Sequence, residues 1–281
     1  MPRLFCFGLG YTALVLARRL QARGWRVAGT CGGADKAAAL QAAGIEAHLF
    51  DNGRKLADAD GALAGTTHLL SSVPPDERDP VLAAHGADIA RLAPEWIGYL
   101  STTGVYGDRA GGWVDEGSEL KPVGERGRRR VAAETEWLAL GLPVHLFRLA
   151  GIYGPGRNAL DQARAGAARR IVKPGQVFSR IHVEDIATVI EASMARPNPG
   201  AAYNVCDDDP APPQDVVAEA CRLLGIAPPP EIAFEQAELS PMGRSFYEES
   251  KRVANRRIKQ ELGVRLRYPT YREGLAALLR G

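Results

Sequence analysis

Residues 4–13 read Leu-Phe-Cys-Phe-Gly-Leu-Gly-Tyr-Thr-Ala, an apolar strand that runs directly into a Gly-x-Gly-x-x-Ala turn. Gly8 would let the chain turn tightly, and Gly10 would let the backbone approach a bound group closely. Ala13 would let the following helix pack close to the strand. Because residues 14–22 have the apolar spacing of an amphipathic helix, the first elements are predicted to be strand, turn and helix.

This turn has the pattern that binds the pyrophosphate of a dinucleotide, in which the third position accepts Ala as well as Gly. The N-terminus of the helix would offer N–H groups and a positive dipole end to the phosphates. Gly24 is placed where a helix ends, and residues 25–30 read as a second strand. A strand–turn–helix without any ligand is the alternative interpretation.

The first half of the chain alternates short apolar runs with helical patterns. This alternation favours a Rossmann-type α/β fold, with a doubly wound parallel sheet covered by helices on both faces. The strands are predicted at 3–7, 25–30, 46–50, 67–72, 95–101 and 144–150, and the helices at 11–22, 34–43, 78–93 and 125–141.

The second half is richer in turns and prolines. Helical patterns recur at residues 183–195, 213–224, 251–262 and 270–280. We therefore expect a dinucleotide-binding core over residues 1–150 and a smaller substrate-binding lobe over 151–281, with about 178–206 returning to the core.

Composition excludes several classes of function. A net charge of +2 gives no electrostatic basis for binding nucleic acid. The four cysteines lie far apart without metal-type spacing, so buried thiols and no metal site are expected. No cationic leader precedes the first strand and no apolar run reaches membrane-spanning length, so we expect a cytoplasmic protein without a membrane partner.

Four later motifs occur in order along the chain. They are Leu100-Ser-Thr-Thr-Gly-Val-Tyr-Gly107, Phe147-Arg-Leu-Ala-Gly-Ile-Tyr-Gly-Pro-Gly-Arg157, Arg180-Ile-His-Val-Glu-Asp185 and Tyr203-Asn-Val205. Together with the glycine turn they resemble the extended short-chain dehydrogenases/reductases over nearly the whole chain. The Gly-x-Gly turn and Tyr268-Pro-Thr-Tyr-Arg-Glu-Gly274 resemble an atypical branch described as NAD(P)-dependent epimerase/dehydratase-like.

The resemblance implies a reacting centre at the end of the fifth strand. Thr102 falls at the Ser/Thr position that hydrogen-bonds the substrate oxygen, and Ser101 and Thr103 flank it as substrate-binding candidates. The superfamily also carries a Tyr and, four residues later, a Lys on the next helix. Here those positions are occupied by Arg126 and Arg130.

A guanidinium does not give up a proton in proteins, so Arg126 cannot act as the general acid or base. Arg130 could still bond the ribose, and the pair could clamp an anion; a solvated basic helix face is the alternative. Gly127 weakens the helix here, so this end could instead be a loop. Tyr106, Tyr153 and His182 are the other candidates for proton transfer, whereas Asp185 is expected in the first turn of a helix.

The second strand ends without the acidic residue that would hold the adenosine ribose of NAD, which favours NADP over NAD. Lys36 or Arg54 could reach the additional phosphate. The resemblance and the strand ends together give these cofactor-binding candidates: Gly8, Gly10, Tyr11, Thr12, Ala13, Thr30, Cys31, Gly32, Asp51, Asn52, Ser71, Ser72, Val73 and Arg130.

Arg148, Arg157 and Arg180 are candidates for holding an anionic diphosphate of the substrate. The resulting hypothesis is an NAD(P)-dependent oxidoreductase, epimerase or dehydratase acting on a nucleotide-sugar-like or other polar substrate, as a monomer or homodimer. Two alternatives stay open at this point. One is a catalytically silent NAD(P)-binding regulator or scaffold, and the other is a protein whose pocket no longer takes the cofactor.

Overall fold

The computed structural model describes residues 1–51 and 53–280. Its strands are β1 (Arg3–Phe7), β2 (Arg26–Cys31), β3 (Glu46–Leu49), β4 (His68–Ser71), β5 (Trp96–Thr102), β6 (Trp113–Val114), β7 (Val144–Leu149), β8 (Gly151–Tyr153), β9 (Arg170–Val172), β10 (Arg180–His182), β11 (Ala202–Val205), β12 (Glu231–Ala233) and β13 (Arg252–Val253). Its helices are α1 (Tyr11–Gln21), α2 (Ala34–Ala42), α3 (Ala59–Leu63), α4 (Pro80–Leu92), α5 (Glu125–Leu138), α6 (Ala159–Arg164), α7 (Val183–Ala195), α8 (Pro213–Leu224), α9 (Pro241–Phe246), α10 (Arg256–Gln260) and α11 (Tyr271–Arg280).

Seven strands form the main sheet in the order β11-β7-β5-β4-β1-β2-β3. β1 pairs in parallel with both β2 and β4, so the chain builds one side of the sheet and then crosses to the other. The predicted Rossmann-type parallel sheet is confirmed. The point where the strand order reverses lies between β1 and β4, which is where ligands bind in open sheets of this kind.

The core of the main sheet consists of the apolar runs that predicted the strands. Phe5, Phe7, Leu69 and Ile97 are completely buried in one cluster, together with Trp137 of α5. Strands that are buried on both faces read as continuous apolar runs rather than as alternating ones. This explains why these strands are recognisable from sequence alone.

The chain divides into two compact units. The first contains Met1–Ser101, Arg129–Arg148 and Val189–Tyr203, and the second contains Thr102–Arg128, Leu149–Thr188 and Asn204–Gly281. The segment that was predicted to return to the core, about 178–206, is divided between the units. Its residues 189–203 belong to the first unit, and the residues on either side of them belong to the second. Residues 102–128 belong to the second.

Short paired strands organise the second unit. β8 pairs in parallel with β10, β9 with β12, and β6 with β13. Its principal apolar cluster includes Tyr153, Leu160, Tyr271 and Leu275. Helices α7 and α8 occupy the predicted ranges 183–195 and 213–224.

One predicted helix is wrong in its first half. Residues 251–262 were expected to be helical throughout, but Arg252–Val253 is a strand and the helix occupies only Arg256–Gln260. The Arg252 N–H donates to the Gly112 carbonyl at 2.9 Å. Pairing with β6, distant in sequence, therefore overrides the local helical pattern.

No helix within residues 1–51 and 53–280 is long and apolar enough to cross a membrane.

Candidate functional site

The Gly8 turn joins β1 to α1 and is held by the ends of both neighbouring strands. Gly8 has a φ of +87°, in the left-handed region that favours glycine. Its N–H donates to Thr30 Oγ1 at 2.8 Å, and its carbonyl accepts from Ser72 Oγ at 2.5 Å. The conformation of this turn is thus set by residues at the ends of β2 and β4 as well as by the glycine itself.

Gly10 is the N-terminal cap of α1 and, as a glycine, has no side chain with which to cap the helix. A Cβ placed on Gly10 would find the Gly8 carbonyl oxygen at 4.0 Å as its nearest neighbour. Packing inside the protein therefore does not require glycine here. A bare backbone at an uncapped helix N-terminus fits the phosphates of a dinucleotide, to which the first N–H groups could donate.

The helix behind the turn packs tightly on the sheet. Ala13 is fully buried and Thr12 nearly so, whereas Tyr11 is half-buried. On β2, a Cβ at Gly29 would lie 2.4 Å from the Cys6 carbonyl oxygen and 2.9 Å from the Leu9 side chain. Small residues at these positions let the strand, the turn and the helix approach closely.

The other predicted cofactor residues lie at the ends of β2, β3 and β4. Cys31 is buried and its Sγ donates to the Gly33 carbonyl at 3.5 Å, while Gly32 is exposed. Asp51 is exposed, and its Oδ1 accepts from the Gly53 N–H at 3.0 Å. Asn52, also predicted, lies outside the described residues.

The end of β4 contributes Ser71, Ser72 and Val73. Ser71 is completely buried, and its Oγ has no hydrogen-bond partner within the part of the chain that the structure describes. Ser72 bonds the Gly8 turn, and Val73 is half-buried. This segment therefore lies directly against the glycine turn, as the strand order requires.

Arg130 of α5 is buried and donates to main-chain and side-chain oxygens of β5. Its Nη1 lies 2.7 Å from the Leu100 carbonyl oxygen and 3.2 Å from the Tyr99 hydroxyl. The guanidinium carbon also lies 5.8 Å from the centroid of the Tyr99 ring. These contacts hold the Arg130 side chain against β5.

Glu134, four residues after Arg130 on α5, connects two of the predicted substrate residues. Ser101 Oγ donates to Glu134 Oε1 at 2.5 Å, and Arg148 Nη2 donates to Glu134 Oε2 at 2.8 Å. All three side chains are buried. Charged groups this deep in a protein need partners, and here Glu134 and Arg148 provide each other's.

Thr102 ends β5 and caps the short 3₁₀ turn Thr103–Tyr106. Its Oγ1 accepts from the Gly104 N–H at 3.2 Å, and both Thr102 and Thr103 are half-buried. The hydroxyl proton of Thr102 is not used in that bond. It can donate to an oxygen of a bound substrate, which is the role that the resemblance implies.

Arg126 is exposed in the first turn of α5, and its guanidinium carbon lies 5.7 Å from the centroid of the Phe246 ring. The helix begins at Glu125 and runs through Gly127, so the alternative of a loop at this end is wrong. A Cβ on Gly127 would lie 2.7 Å from Pro122 Cβ and 3.0 Å from the Gly104 carbonyl oxygen. Close packing explains a glycine inside this helix.

Tyr106 is fully buried and its hydroxyl donates to Asn204 Oδ1 at 2.7 Å. Asn204 lies in β11, and its N–H donates to Glu116 Oε1 at 2.8 Å. A hydroxyl engaged in this way is suited to holding the second unit together.

Tyr153 and His182 pack against each other at the ends of β8 and β10, with their ring centroids 5.2 Å apart. Burial raises the pKa of the Tyr153 hydroxyl far above its usual value. Burial, followed by the positive charge of Arg267, lowers the pKa of His182 to about 4. His182 is consequently neutral at physiological pH.

The two remaining arginines predicted to bind substrate differ in environment. Arg157 is exposed, and its main chain pairs with that of Gly154. Arg180 Nη1 donates to the carbonyl oxygens of Phe178 and Ala211 at 2.9 and 3.0 Å. Burial lowers the pKa of Arg180 from its ordinary value, although the group stays charged.

The burial of two carboxylates, Asp185 and Asp207, was not predicted from the sequence. Asp185, expected only in a helical first turn, is fully buried and accepts the N–H groups of Arg267 and Tyr268 at 2.7 and 3.0 Å. Asp207 is buried, and burial raises its pKa to about 8. No local sequence signal distinguishes Asp207 from the exposed Asp208 and the half-buried Asp209 that follow it.

No protein-family model matches the chain. Protein YeeZ of Escherichia coli strain K12 is 33% identical over 286 residues, covering 96% of this chain and 97% of that protein. The chain belongs to the YeeZ family, within the extended short-chain dehydrogenases/reductases.

Two solved structures are also similar to this chain. A conserved protein of unknown function from Silicibacter pomeroyi is 57% identical, with a TM-score of 0.94, covering 100% of this chain and 99% of that one. A protein from Methylobacillus flagellatus assigned as an NAD-dependent epimerase/dehydratase is 25% identical, with a TM-score of 0.73, covering 99% and 97%. The predicted superfamily is confirmed.

This YeeZ-family chain distributes the predicted residues over both of its units. The first unit contains the glycine turn, the ends of β2, β3 and β4, and Ser101, Arg130 and Arg148. The second contains Thr102, Thr103, Tyr106, Arg126, Tyr153, Arg157, Arg180 and His182. Their roles toward a cofactor or substrate stay predictions.

Proposed function

We propose that the chain is an NAD(P)-dependent oxidoreductase, epimerase or dehydratase that acts on a nucleotide-sugar-like or other polar substrate. The observation that carries this proposal is the Gly8–Gly10 turn, where a bare backbone meets an uncapped helix N-terminus at the strand-order reversal. Membership of the extended short-chain dehydrogenases/reductases supports it. So does the likeness to a protein assigned as NAD-dependent.

The residues that would hold the cofactor belong to the first unit. Gly8 and Gly10 would let the pyrophosphate approach the N-terminus of α1, and Asp51 and Ser71–Val73 would line its further course. When bound, the nicotinamide supplies the hydride acceptor or donor. Arg130 can donate to ribose hydroxyls only with nitrogens other than the Nη1 that bonds Leu100 and Tyr99.

NADP is the favoured cofactor because β2 ends at Cys31 and is followed by Gly32, with no acid at the strand end. Lys36 and Arg54 are the nearby cations along the chain that could pair with a 2′-phosphate. A melting-temperature series with NAD⁺, NADH, NADP⁺ and NADPH tests this choice. A ligand at about a hundred times its dissociation constant stabilises by about 2.7 kcal/mol, which is a readily measured shift.

The substitution Gly10→Ala tests the binding site itself. Since its Cβ meets nothing closer than 4.0 Å, the variant should fold with an unchanged melting temperature but lose the cofactor-induced shift. Gly86→Ala in α4 is the matched control, because a Cβ there also finds open space and the shift should persist. An undiminished shift in Gly10→Ala would place the cofactor elsewhere.

Thr102 is the residue proposed to hydrogen-bond the reacting oxygen of the substrate. The variant Thr102→Ala should abolish turnover of any nucleotide sugar that the parent chain converts, while the cofactor dissociation constant changes only about two- to threefold. Thr135→Ala is the control, because its exposed Oγ1 only donates to the Val131 carbonyl. Loss of cofactor binding in Thr102→Ala would mean that its role is structural.

The second candidate is a catalytically silent NAD(P)-binding regulator or scaffold. Arg126 and Arg130 at the Tyr and Lys positions favour it, since neither can exchange a proton with substrate. This candidate predicts cofactor binding without hydride transfer to any nucleotide sugar or carbonyl compound. Turnover followed by the absorbance of the reduced nicotinamide would exclude it.

A cytoplasmic location, a small-molecule substrate and a monomeric or homodimeric state complete the proposal. Four buried, unpaired cysteines suit a reducing compartment. Sedimentation of the purified chain would separate monomer from dimer.

A further inference from the structure

The second unit contains a cavity of about 430 Å³ whose walls come from four segments. These are the turn after β8, the start of α6, the junction of β10 with α7, and the chain from Arg267 into α11. Its size is that of a site for a small organic molecule. The lining combines charged groups of both signs with an apolar wall.

His182 contributes an unused hydrogen-bond donor. Its Nδ1 accepts from the Glu184 N–H at 3.2 Å, which assigns the ring proton to Nε2. Nε2 is buried and has no partner in the described part of the chain. Tyr268 covers the ring with a centroid distance of 4.2 Å. A buried donor without an acceptor is costly, and a ligand in the adjoining cavity would supply that acceptor.

Arg267 contributes a second set of donors. Its main chain is anchored by the fully buried Asp185, which accepts its N–H at 2.7 Å. Its guanidinium carbon lies 5.5 Å from the centroid of the Tyr268 ring. Among the described residues no carboxylate pairs with this guanidinium. Such a planar fork of N–H groups matches a carboxylate ligand.

Carboxylates of the protein also line the cavity. Asp161 Oδ2 accepts from Asn158 Nδ2 at 2.7 Å, and its Oδ1 lies 3.5 Å from Arg164 Nη1. Glu184 is half-buried at the start of α7. These two acids disfavour a ligand with only negative charge, but they suit an ammonium group that accompanies a carboxylate.

We propose that this cavity binds a free α-amino acid with an apolar side chain. Its carboxylate is bound by Arg267 and the Nε2–H of His182, and its ammonium by Glu184 and Asp161. Its side chain packs on Pro155, Ala277 and Leu278. Since every one of these residues belongs to the second unit, the proposal does not depend on cofactor binding.

Calorimetric titration of the full chain, without cofactor, tests the charge requirement. L-phenylalanine and L-leucine should bind saturably, whereas 3-phenylpropionate and phenethylamine, each lacking one charged group, should bind at least about tenfold more weakly. The imidazole signals of His182 should shift in nuclear magnetic resonance spectra as L-phenylalanine is added. Equal binding of the analogues, or no saturable binding up to about 10 mM, would overturn the proposal.

A pair of arginine variants tests the location. Arg267→Gln keeps the main-chain bond to Asp185 and should weaken L-phenylalanine binding about tenfold or more. Arg265→Gln, at an exposed position two residues earlier, should bind like the parent chain. Equal affinity in both variants would overturn the assignment. If the amino-acid site is overturned in this way but NAD(P) still raises the melting temperature of the parent chain, the proposed cofactor function stands independently.

Discussion

At the scale of single residues, three predicted ligand-binding arginines already have protein acceptors. Arg130 donates to Leu100, Arg148 to Glu134, and Arg180 to Phe178 and Ala211. A guanidinium has five N–H donors, so these bonds leave others for a ligand. Burial of a charged side chain nevertheless requires such partners whether or not a ligand binds.

Replacing Arg148 separates a structural role from a substrate-binding one. In Arg148→Gln the buried Glu134 carboxylate loses its cation, and we expect the free energy of unfolding to fall by about 3–5 kcal/mol. Urea denaturation would measure this change. The double variant Glu134→Leu with Arg148→Met should recover most of the stability, because an apolar pair can replace a buried ion pair.

A normally stable Arg148→Gln variant would contradict this expectation. It would instead favour the prediction that Arg148 serves the substrate. Arg222→Gln is the control, because its pair with Glu219 lies at the surface, where solvent screens the charges, and the urea midpoint should stay close to that of the parent chain.

At the scale of elements, α5 shows how packing reverses a local propensity. Glycine has a low helix propensity, so the sequence is also compatible with a loop around Gly127. The helix forms because Gly127 lets it lie against Pro122 and the Gly104 carbonyl, where a Cβ would be 2.7 and 3.0 Å from its neighbours. Gly127 thus lowers the helix propensity of α5, but it permits the close packing that stabilises the helix in the folded chain.

The substitution Gly127→Ala tests this reversal of sign. Propensity alone predicts stabilisation by about 1 kcal/mol, whereas the close contacts predict destabilisation by about 1–3 kcal/mol. Gly86→Ala, in α4 with open space around its Cβ, should show the propensity gain. Thermal unfolding of both variants gives the comparison, and stabilisation of both would refute the packing argument.

The short strands of the second unit form another case at this scale. β6 and β13 contain two residues each, and β8, β9, β10 and β12 contain three. Segments this short contain too few residues to show an alternating pattern. They exist because partners distant in sequence, such as Gly112 and Arg252, complete their hydrogen bonds.

At the scale of the whole molecule, the pH dependence of stability reports on buried acids. Burial raises the pKa of Asp207 to about 8, whereas the pKa of an aspartate in an unfolded chain is about 4. Between these values the folded state keeps a proton that the unfolded state releases. The free energy of unfolding therefore decreases as the pH rises from about 4 to about 8.

The variant Asp207→Asn should remove this decrease. Compared with the parent chain, it should gain on the order of 1 kcal/mol or more in stability between pH 5 and pH 8, by the relation of about 1.4 kcal/mol per pKa unit. Asp215→Asn, at an exposed position in the first turn of α8, should follow the parent curve. Parallel curves for the parent and Asp207→Asn would show that the pKa of Asp207 is not raised in the folded chain.

The amino-acid sequence by itself determined the α/β alternation of the first half, the parallel sheet and the Gly8–Gly10 turn. These features depend on apolar runs within single strands and on the conformational freedom of glycine, both of which are local. The tertiary structure alone decided which side chains meet: Tyr106 with Asn204, Arg148 with Glu134, and Arg267 near His182. Such partners are brought together by chain crossovers, and a buried charge or hydroxyl acquires its role only from the groups packed against it.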